Sequence, residues 1–516
     1  MVSVQWLGGL FAGVTGLGST LLLVPVMLPL AGLLLAIAFG GRHPRRIVLA
    51  LLPLGLVAAV GIAAVVLEAD APLRYDLGGW APPLGVTLQA DGLSAVLLLV
   101  TSVVMLAVGL YAWPGFGVPP GSSETRTSFA FWTLLLGVWG GLNLVFLGQD
   151  LFTLYVALEL LTFSAVPLVC LDGRADTLQA ALRYLLFALL GSILYVLGTA
   201  LLYGQFGTLD IGLLRDRLAA AGALPPAAIA AAALMTVGLL AKTALFPLHL
   251  WLPPAHAGAP PAASAILSAL VVKASFVLIV RIWFDLMPAL LTRSAAEVLG
   301  VLGAVAIVYG GALALGQARL KLLVAYSTLA QLGYLFLIFP LATSPAGNAT
   351  GEVLTGGMLQ LAAHACAKAA MFLAAGLIAT SLGHDRIGEL AGVGRALPLS
   401  VLAFGIAGLA LVGIEPSGAY LAKTLLDGAA QASGQWGWGL VMQIGGLLTA
   451  AYLIRVFFHA LSGFARPPAL RARPARYQEL LVLGLALCSL ALGLLPPAYL
   501  AVVTVGRVAA AGGGLP

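Results

Sequence analysis

Apolar runs of roughly 20 residues recur from Ser19 almost to the end of the chain, cut by charges and by clusters of Gly, Pro and Asn. About 20 apolar residues is the length of helix that crosses a bilayer. The cuts predict about 14 spans, near 19–39, 47–67, 91–112, 128–147, 151–171, 180–203, 228–250, 261–284, 296–316, 321–342, 353–380, 397–430, 438–460 and 479–502. Two of these are expected to be broken. In the seventh, Pro247 lies five residues after Lys242 and removes a helix hydrogen bond next to a buried charge. The twelfth is too long for one straight helix and is interrupted at Glu415-Pro416.

Composition agrees: 61% of the 516 residues are hydrophobic and 9% are charged, against about 25% charged in a soluble domain. The predicted class is an all-α polytopic membrane protein. The N-terminus lacks a basic n-region and a small-residue cleavage site, so Met1 to Leu30 is expected to stay uncleaved and merge into the first span. Fourteen Lys and Arg residues (Arg42, Arg45, Arg46, Arg126, Arg174, Arg183, Arg319, Lys321, Arg386, Arg395, Arg466, Arg471, Arg473 and Arg476) fall in the odd-numbered loops. Only Arg74, Arg215, Arg217, Arg293 and Arg507 fall in the even loops and the C-terminus. The positive-inside rule then puts the odd loops in the cytoplasm and both termini outside, in a bacterial-type inner membrane. On the outer side, Glu68 to Asp91 alternates and carries turn residues, which predicts a small hairpin. Gln205 to Pro226 is the longest polar stretch outside the spans.

Several chemistries are not expected. The positive residues form no basic patch interleaved with aromatics, so no nucleic acid is predicted as a partner. No G-x-G-x-x-G, P-loop or CxxC occurs, and Cys170, Cys366 and Cys488 lie alone in apolar runs. No nucleotide, flavin, haem, iron–sulfur cluster or other cofactor is expected on this chain, and no metal.

The ionisable residues inside the spans carry the functional reading. Of five lysines, Lys242, Lys273, Lys368 and Lys423 fall within predicted spans. A lysine at bilayer depth costs about 2.5–3.5 kcal/mol on insertion scales, and unlike arginine it can give up its proton. Glu159, in the middle of the fifth span, needs a positive partner, and Lys242 is the first candidate; a static salt bridge is the alternative. His364 and Lys368 lie four apart and share one face of the eleventh span. His249 and His256 flank the broken seventh span, as proton carriers or as structural residues, and a two-histidine metal site lacks an accompanying carboxylate or thiolate. Asp427 is a candidate partner for Lys423 or a residue near the outer surface without a role, and Glu415 is a second candidate partner or a local adaptation. Arg281 is expected to snorkel from the outer end of its span.

Ala241-Lys242-Thr243-Ala244-Leu245 is similar to Ala422-Lys423-Thr424-Leu425-Leu426, and the two lie five spans apart in interrupted helices. An odd offset gives opposite orientations, as in inverted-topology repeats. In these motifs, and in Ala241–Ala259, His364–Gly376 and Pro416–Lys423, the chain resembles the antiporter-like proton-conducting subunits of respiratory complex I, membrane-bound hydrogenases and Mrp-type Na+/H+ antiporters. The resemblance covers spans four to thirteen. It implies a Glu159–Lys242 pair, a central relay at Lys273, and a second half at His364, Lys368 and Lys423 leading outward. Family members commonly have Gly-x-Pro-Pro before the twelfth-helix lysine, where this chain has Gly413-Ile414-Glu415-Pro416. No long lateral helix follows, which favours likeness to the complex I M or N subunits or to Mrp D.

The resulting expectation has residues 1–127 as N-terminal helices and hairpin. Residues 128–286 and 287–460 form two inverted five-helix repeats, each with one broken helix, and 461–516 holds a C-terminal helix. The chain is expected to translocate protons along Glu159, Lys242, Lys273, His364, Lys368 and Lys423 for a complex I-like NADH:quinone oxidoreductase. His249, His256, Glu415 and Asp427 are further candidates. Electron transfer is expected on partner membrane and redox subunits. An Mrp-type antiporter, with Na+ in play, or a membrane-hydrogenase subunit is the alternative.

Overall fold

The structure is a computed structural model that describes residues 18–119, 121–122, 124–343, 349–462, 468–496 and 500–506. The chain before Gly18, and Arg466 and Arg507, lie outside the described residues. Helices α1 (Gly18–Phe39) and α2 (His43–Ala69) lead into a hairpin of β1 (Leu73–Asp76) and β2 (Thr87–Ala90). Helices α3 (Gly92–Ala112), α4 (Arg126–Leu147), α5 (Leu151–Val169) and α6 (Ala175–Phe206) follow, then a short α7 (Ile211–Ala220) within the polar Gln205–Pro226 stretch. Next come α8 (Pro226–Thr243), a short α9 (Leu252–Gly258), α10 (Pro261–Leu286), α11 (Arg293–Gly316), α12 (Leu320–Leu341) and α13 (Ala349–Leu382). Two half-length helices, α14 (Pro398–Val412) and α15 (Gly418–Ala432), precede α16 (Trp436–Leu461) and α17 (Arg476–Leu494).

Thirteen helices among the described residues are long and apolar enough to cross a membrane. The pair α14–α15 supplies the broken span between α13 and α16, so the predicted tally of about 14 holds. The hairpin forms where expected, with Leu73 opposite Ala90 and Asp76 opposite Thr87.

Both predicted breaks exist, but the first comes earlier than expected. Helix α8 stops at Thr243, not near 250, and residues 244–251 form turns before α9. Its end is a Schellman closure: Leu245 N–H donates to Leu240 O at 3.2 Å and Ala244 N–H to Ala241 O at 3.3 Å, with Ala244 at φ 59°. Helix α14 ends the same way around Gly413 at φ 90°, with Ile414 N–H on Leu409 O and Gly413 N–H on Ala410 O. The short echo between the two lysine motifs is not a structural equivalence, however. Lys242 lies in the last turn before its break, whereas Lys423 lies on α15, after its own.

Where the helices pack decides where polar groups can be hidden. The membrane-spanning windows of α10 and α13 are 100% buried within the chain, and these two helices carry Lys273, His364 and Lys368. Helices α1 and α6 instead present outward-facing Leu and Ile, such as Leu34, Ile37, Leu186 and Ile193. Helix α8 lies along α6 just as α15 lies along α13. Small residues allow the first of these contacts, since a Cβ on Gly238 would lie 2.3 Å from Gly191 O and one on Gly191 2.5 Å from Gly238 O. The same back-to-back pairing joins Gly303 of α11 to Gly333 of α12.

A Gly238→Leu substitution is expected to push α8 off α6 and cost about 1–3 kcal/mol of overpacking strain. Thermal unfolding of the purified protein in detergent should show a lowered Tm.

Candidate functional site

The first cluster forms where α5, α6 and α8 meet. Lys242 Nζ lies 3.3 Å from Glu159 Oε1 and donates to Thr162 Oγ1 at 2.9 Å. Ser192 of α6 donates to the same Glu159 oxygen. The lysine has two supports, one ionic and one neutral, so its ammonium keeps a hydrogen-bond acceptor if the carboxylate swings away. Leaving Lys242, the neighbouring Thr243 hydroxyl meets Ser275 Oγ of α10 at 3.0 Å.

The centre is built on a departure from α-helical geometry. Residues Leu267–Val271 of α10 are π-helical, which displaces carbonyls from their usual i→i−4 partners. Lys273 turns its Nζ back onto two of them, Ser268 O at 2.8 Å and Ala269 O at 2.7 Å. The ammonium therefore finds its acceptors within its own helix, and among the described residues it forms no ion pair. Ser268 Oγ continues the polar line to Thr328 Oγ1 of α12 at 2.9 Å. One residue earlier, Ser327 accepts from Lys368 of α13, which also donates to Val324 O at 3.1 Å. His364 lies fully buried within electrostatic reach of both Lys273 and Lys368. Neither of its ring nitrogens has a protein partner among the described residues.

The second cluster lies beyond two glutamines that the sequence reading missed. Gln360 Nε2 donates to Gln331 Oε1 at 3.0 Å, and Gln331 Nε2 to Leu411 O at 3.3 Å. Lys423 donates to that same carbonyl at 3.1 Å and to Val412 O at 2.9 Å, and its ammonium sits 4.4 Å from the Tyr334 ring centre. The carbonyls are those of the α14 C-terminus, where the helix dipole favours a cation. Gly413 makes this approach possible, because a Cβ there would lie 2.9 Å from Lys423 Cδ. Gln360, His364 and Lys368 recur every four residues on α13, a spacing that marks Gln360 in the sequence; Gln331 carried no comparable mark.

Several expected placements are corrected. Among the described residues Lys423 forms no ion pair: Glu415 is exposed, and Asp427 accepts from Gln431 at 2.7 Å. Exposure lets Glu415 stay hydrated and Asp427, half-buried, is held by Gln431, while the half-helix end already supplies acceptors to Lys423. Arg281 does not snorkel. It is largely buried, with Nη2 donating to Asp91 Oδ1 at 2.8 Å and to Ser94 Oγ at 2.9 Å, and Nη1 to Asp285 at 3.0 Å, which ties α10 to the start of α3. His249 lies in the turn after α8, packed on Phe246 and Tyr309 rather than beside a lysine. His256 lies on α9, fully buried against Phe372. Arg455, at the far end of α16, binds Leu315 O and Gln317 O at the C-terminus of α11. Lys321 is no loop residue; it sits inside the first turn of α12 with Nζ 2.6 Å from Ala259 O. Among the described residues no three His, Cys, Asp or Glu side chains are grouped to hold a metal.

The family described as NADH:quinone oxidoreductase/Mrp antiporter, TM, matches residues 148–449. The chain belongs to this family. It is similar to NADH-quinone oxidoreductase subunit N of Desulforudis audaxviator, 33% identical over 424 residues and covering 81% of each chain. It is also similar to the D-type subunit of the Na(+)/H(+) antiporter of Bacillus subtilis, 28% identical over 387 residues, covering 75% of this chain and 76% of the relative. Among solved structures, a chain of the Mrp complex from Dietzia sp. DQ12-45-1b superposes with a TM-score of 0.84 at 26% identity, covering 95% of this chain and 97% of that one. A chain of respiratory complex I from Thermus thermophilus gives 0.69 at 27% identity, covering 92% and 97%. The family match runs from the start of α5 into α16 and so contains every residue of the polar line from Glu159 to Lys423. This is an antiporter-like, multi-pass membrane subunit.

A Gln331→Leu substitution leaves the Gln360 amide without its buried acceptor and is expected to cost about 1–3 kcal/mol. The double Gln331→Leu, Gln360→Leu variant should regain part of that loss, because Gln360 Oε1 already lacks a partner among the described residues. Thermal unfolding of wild type, both single variants and the double variant reads the coupling.

Proposed function

We propose that the chain is the proton-translocating membrane subunit of a redox-driven complex of the NADH:quinone oxidoreductase type. The observation that carries this reading is the row of lysines inside the protein, Lys242, Lys273, Lys368 and Lys423, with the hydrogen-bonded polar pairs Thr243–Ser275, Ser268–Thr328 and Gln360–Gln331 interspersed among them. Charged groups inside a membrane protein mark ion paths because they are costly to retain otherwise. In this reading Glu159 and Lys242 admit the proton, Lys273 holds it at the centre with His364 alongside, and Lys368 and Lys423 deliver it. Two unit charges 4 Å apart repel by about 4 kcal/mol at an effective dielectric near 20, and by less as they separate. A proton arriving on one lysine therefore favours release from the next.

The redox chemistry would lie on partner subunits, with residues 128–286 and 287–460 as the two inverted repeats and both chain termini on the outer side. The 33% identity to a quinone oxidoreductase N subunit supports the redox-driven complex. The TM-score of 0.84 against an Mrp complex chain favours a second reading, a subunit that exchanges Na+ for H+ without a redox partner.

Gentle purification identifies the partners, and acidification of inverted membrane vesicles on adding NADH then tests the first reading. The Lys273→Ala complex should assemble and show no NADH-driven acidification. Wild-type acidification in that variant contradicts the path. Acidification that responds to added Na+ and not to NADH favours the second reading.

A further inference from the structure

One lysine remains outside the line from Lys242 to Lys423, and its setting is unusual for a helix-start residue. Lys321 lies in the first turn of α12, where the helix dipole disfavours a cation. Its side chain nevertheless turns inward: the residue is only 8% exposed, and Nζ donates to Ala259 O at 2.6 Å in the turn between α9 and α10. Arginines carry the charge on the outer rim of this corner. Arg319, beside it in sequence, has a half-exposed side chain and holds Asp385 Oδ1 at 2.9 Å.

Asp385 lies between this rim and the interior. It is 7% exposed, and its other oxygen, Oδ2, is buried with no hydrogen-bond partner among the described residues. The segment is fixed against α12 by Leu320 N–H on Asp385 O at 2.7 Å and Ile387 N–H on Ala318 O at 2.8 Å. Lys321 therefore lies within electrostatic reach of a held carboxylate with an unused acceptor, and of Arg319, Arg174 and Asp172.

Inward of Lys321 comes His256, three residues before Ala259 on the short α9. The ring is 0% exposed and stacks on Phe372 of α13 with centroids 4.6 Å apart. Both ring nitrogens are buried without a protein partner among the described residues, a condition that buried polar groups meet through internal water. The ring lies within electrostatic reach of Lys321 on one side and Lys368 on the other. Beyond the Pro260–Pro261 turn lies a cavity of about 400 Å³ lined by Thr380, Ser381, Arg473 and Gln478.

We propose that Lys321 is a proton-loading residue, taking protons at Asp385 from the arginine-rich face and passing them through His256 to Lys368. The inference rests on the translocation reading above and adds an entry to it. In each transfer the neutral amine or imidazole accepts the proton and the donor is left neutral, or, for Asp385, as a carboxylate, so no further reactant is needed. The second half of the path would then be filled at its own entrance and not only from Lys242.

The test uses the whole complex in native membranes, with transport normalised to the amount of chain that co-purifies with its partners. Lys321→Arg keeps the charge and a donor for Ala259 O but does not release its proton, whereas Lys321→His loses the reach and keeps a titratable group. A loading role predicts that Lys321→Arg and Lys321→Met lower proton transport by about 10²-fold, the scale of one lost proton-transfer group, and that Lys321→His recovers part of the loss. An anchoring role predicts the reverse order, and wild-type transport in Lys321→Arg overturns the proposal. Lys273→Ala is measured alongside: if it transports normally, the central path itself fails, whatever Lys321 does.

Discussion

Every ammonium inside this protein must find its acceptors within the protein, because lipid offers none. The rest of the structure follows from how that constraint is met. Among the described residues only Lys242 of these four is answered with a carboxylate; Lys273, Lys368 and Lys423 are answered with hydroxyls and main-chain carbonyls. Lys368 shares Val324 O of the regular α12 with Thr328 Oγ1, whereas Lys273 and Lys423 rest on carbonyls exposed where a helix departs from regularity. The π-helical turn of α10 and the end of α14 are therefore as much a part of the site as the lysines they hold.

This choice of acceptor has a functional consequence. A lysine locked to a carboxylate is a fixed ion pair, whereas one resting on neutral dipoles can hold or lose its proton without leaving a naked anion behind. The single acid–base pair, Glu159–Lys242, stands at one end of the line. Its carboxylate is shared with Ser192 and its lysine with Thr162, so either partner can let go and remain hydrogen-bonded. The helices that carry the central residues, α10 and α13, have their most apolar windows fully buried within the chain.

Much of this was legible in the sequence for physical reasons. Apolar run length sets span number, and the proline segments after Lys242 and at Glu415-Pro416 marked the two broken helices, although Pro29 and Pro53 sit inside unbroken ones. Four lysines in long apolar runs named the line itself. What stayed hidden was geometry that no residue type announces. Leu267–Val271 reads as an ordinary apolar helix, yet its π-helical turn provides the acceptors for Lys273. Lys321 reads as one more positive loop residue, and only the tertiary fold turns it toward Ala259. Glu415 and Asp427 were placed beside Lys423 by sequence distance, but the break at Gly413 brings the end of α14 there instead. Arg281 was expected at the lipid surface because the buried Asp91 that receives it is far away in the chain.

The central claim is that the buried lysines form one continuous path, with Lys368 joining the π-helical centre to the second half. The most direct measurement is proton transport by the assembled complex carrying Lys368→Met, which keeps the side chain's length and packing and removes its proton. The account predicts an intact, partner-bound complex with transport lowered by about 10²-fold or more, the scale expected for an essential proton-transfer group. Transport at the wild-type rate in that variant would contradict it.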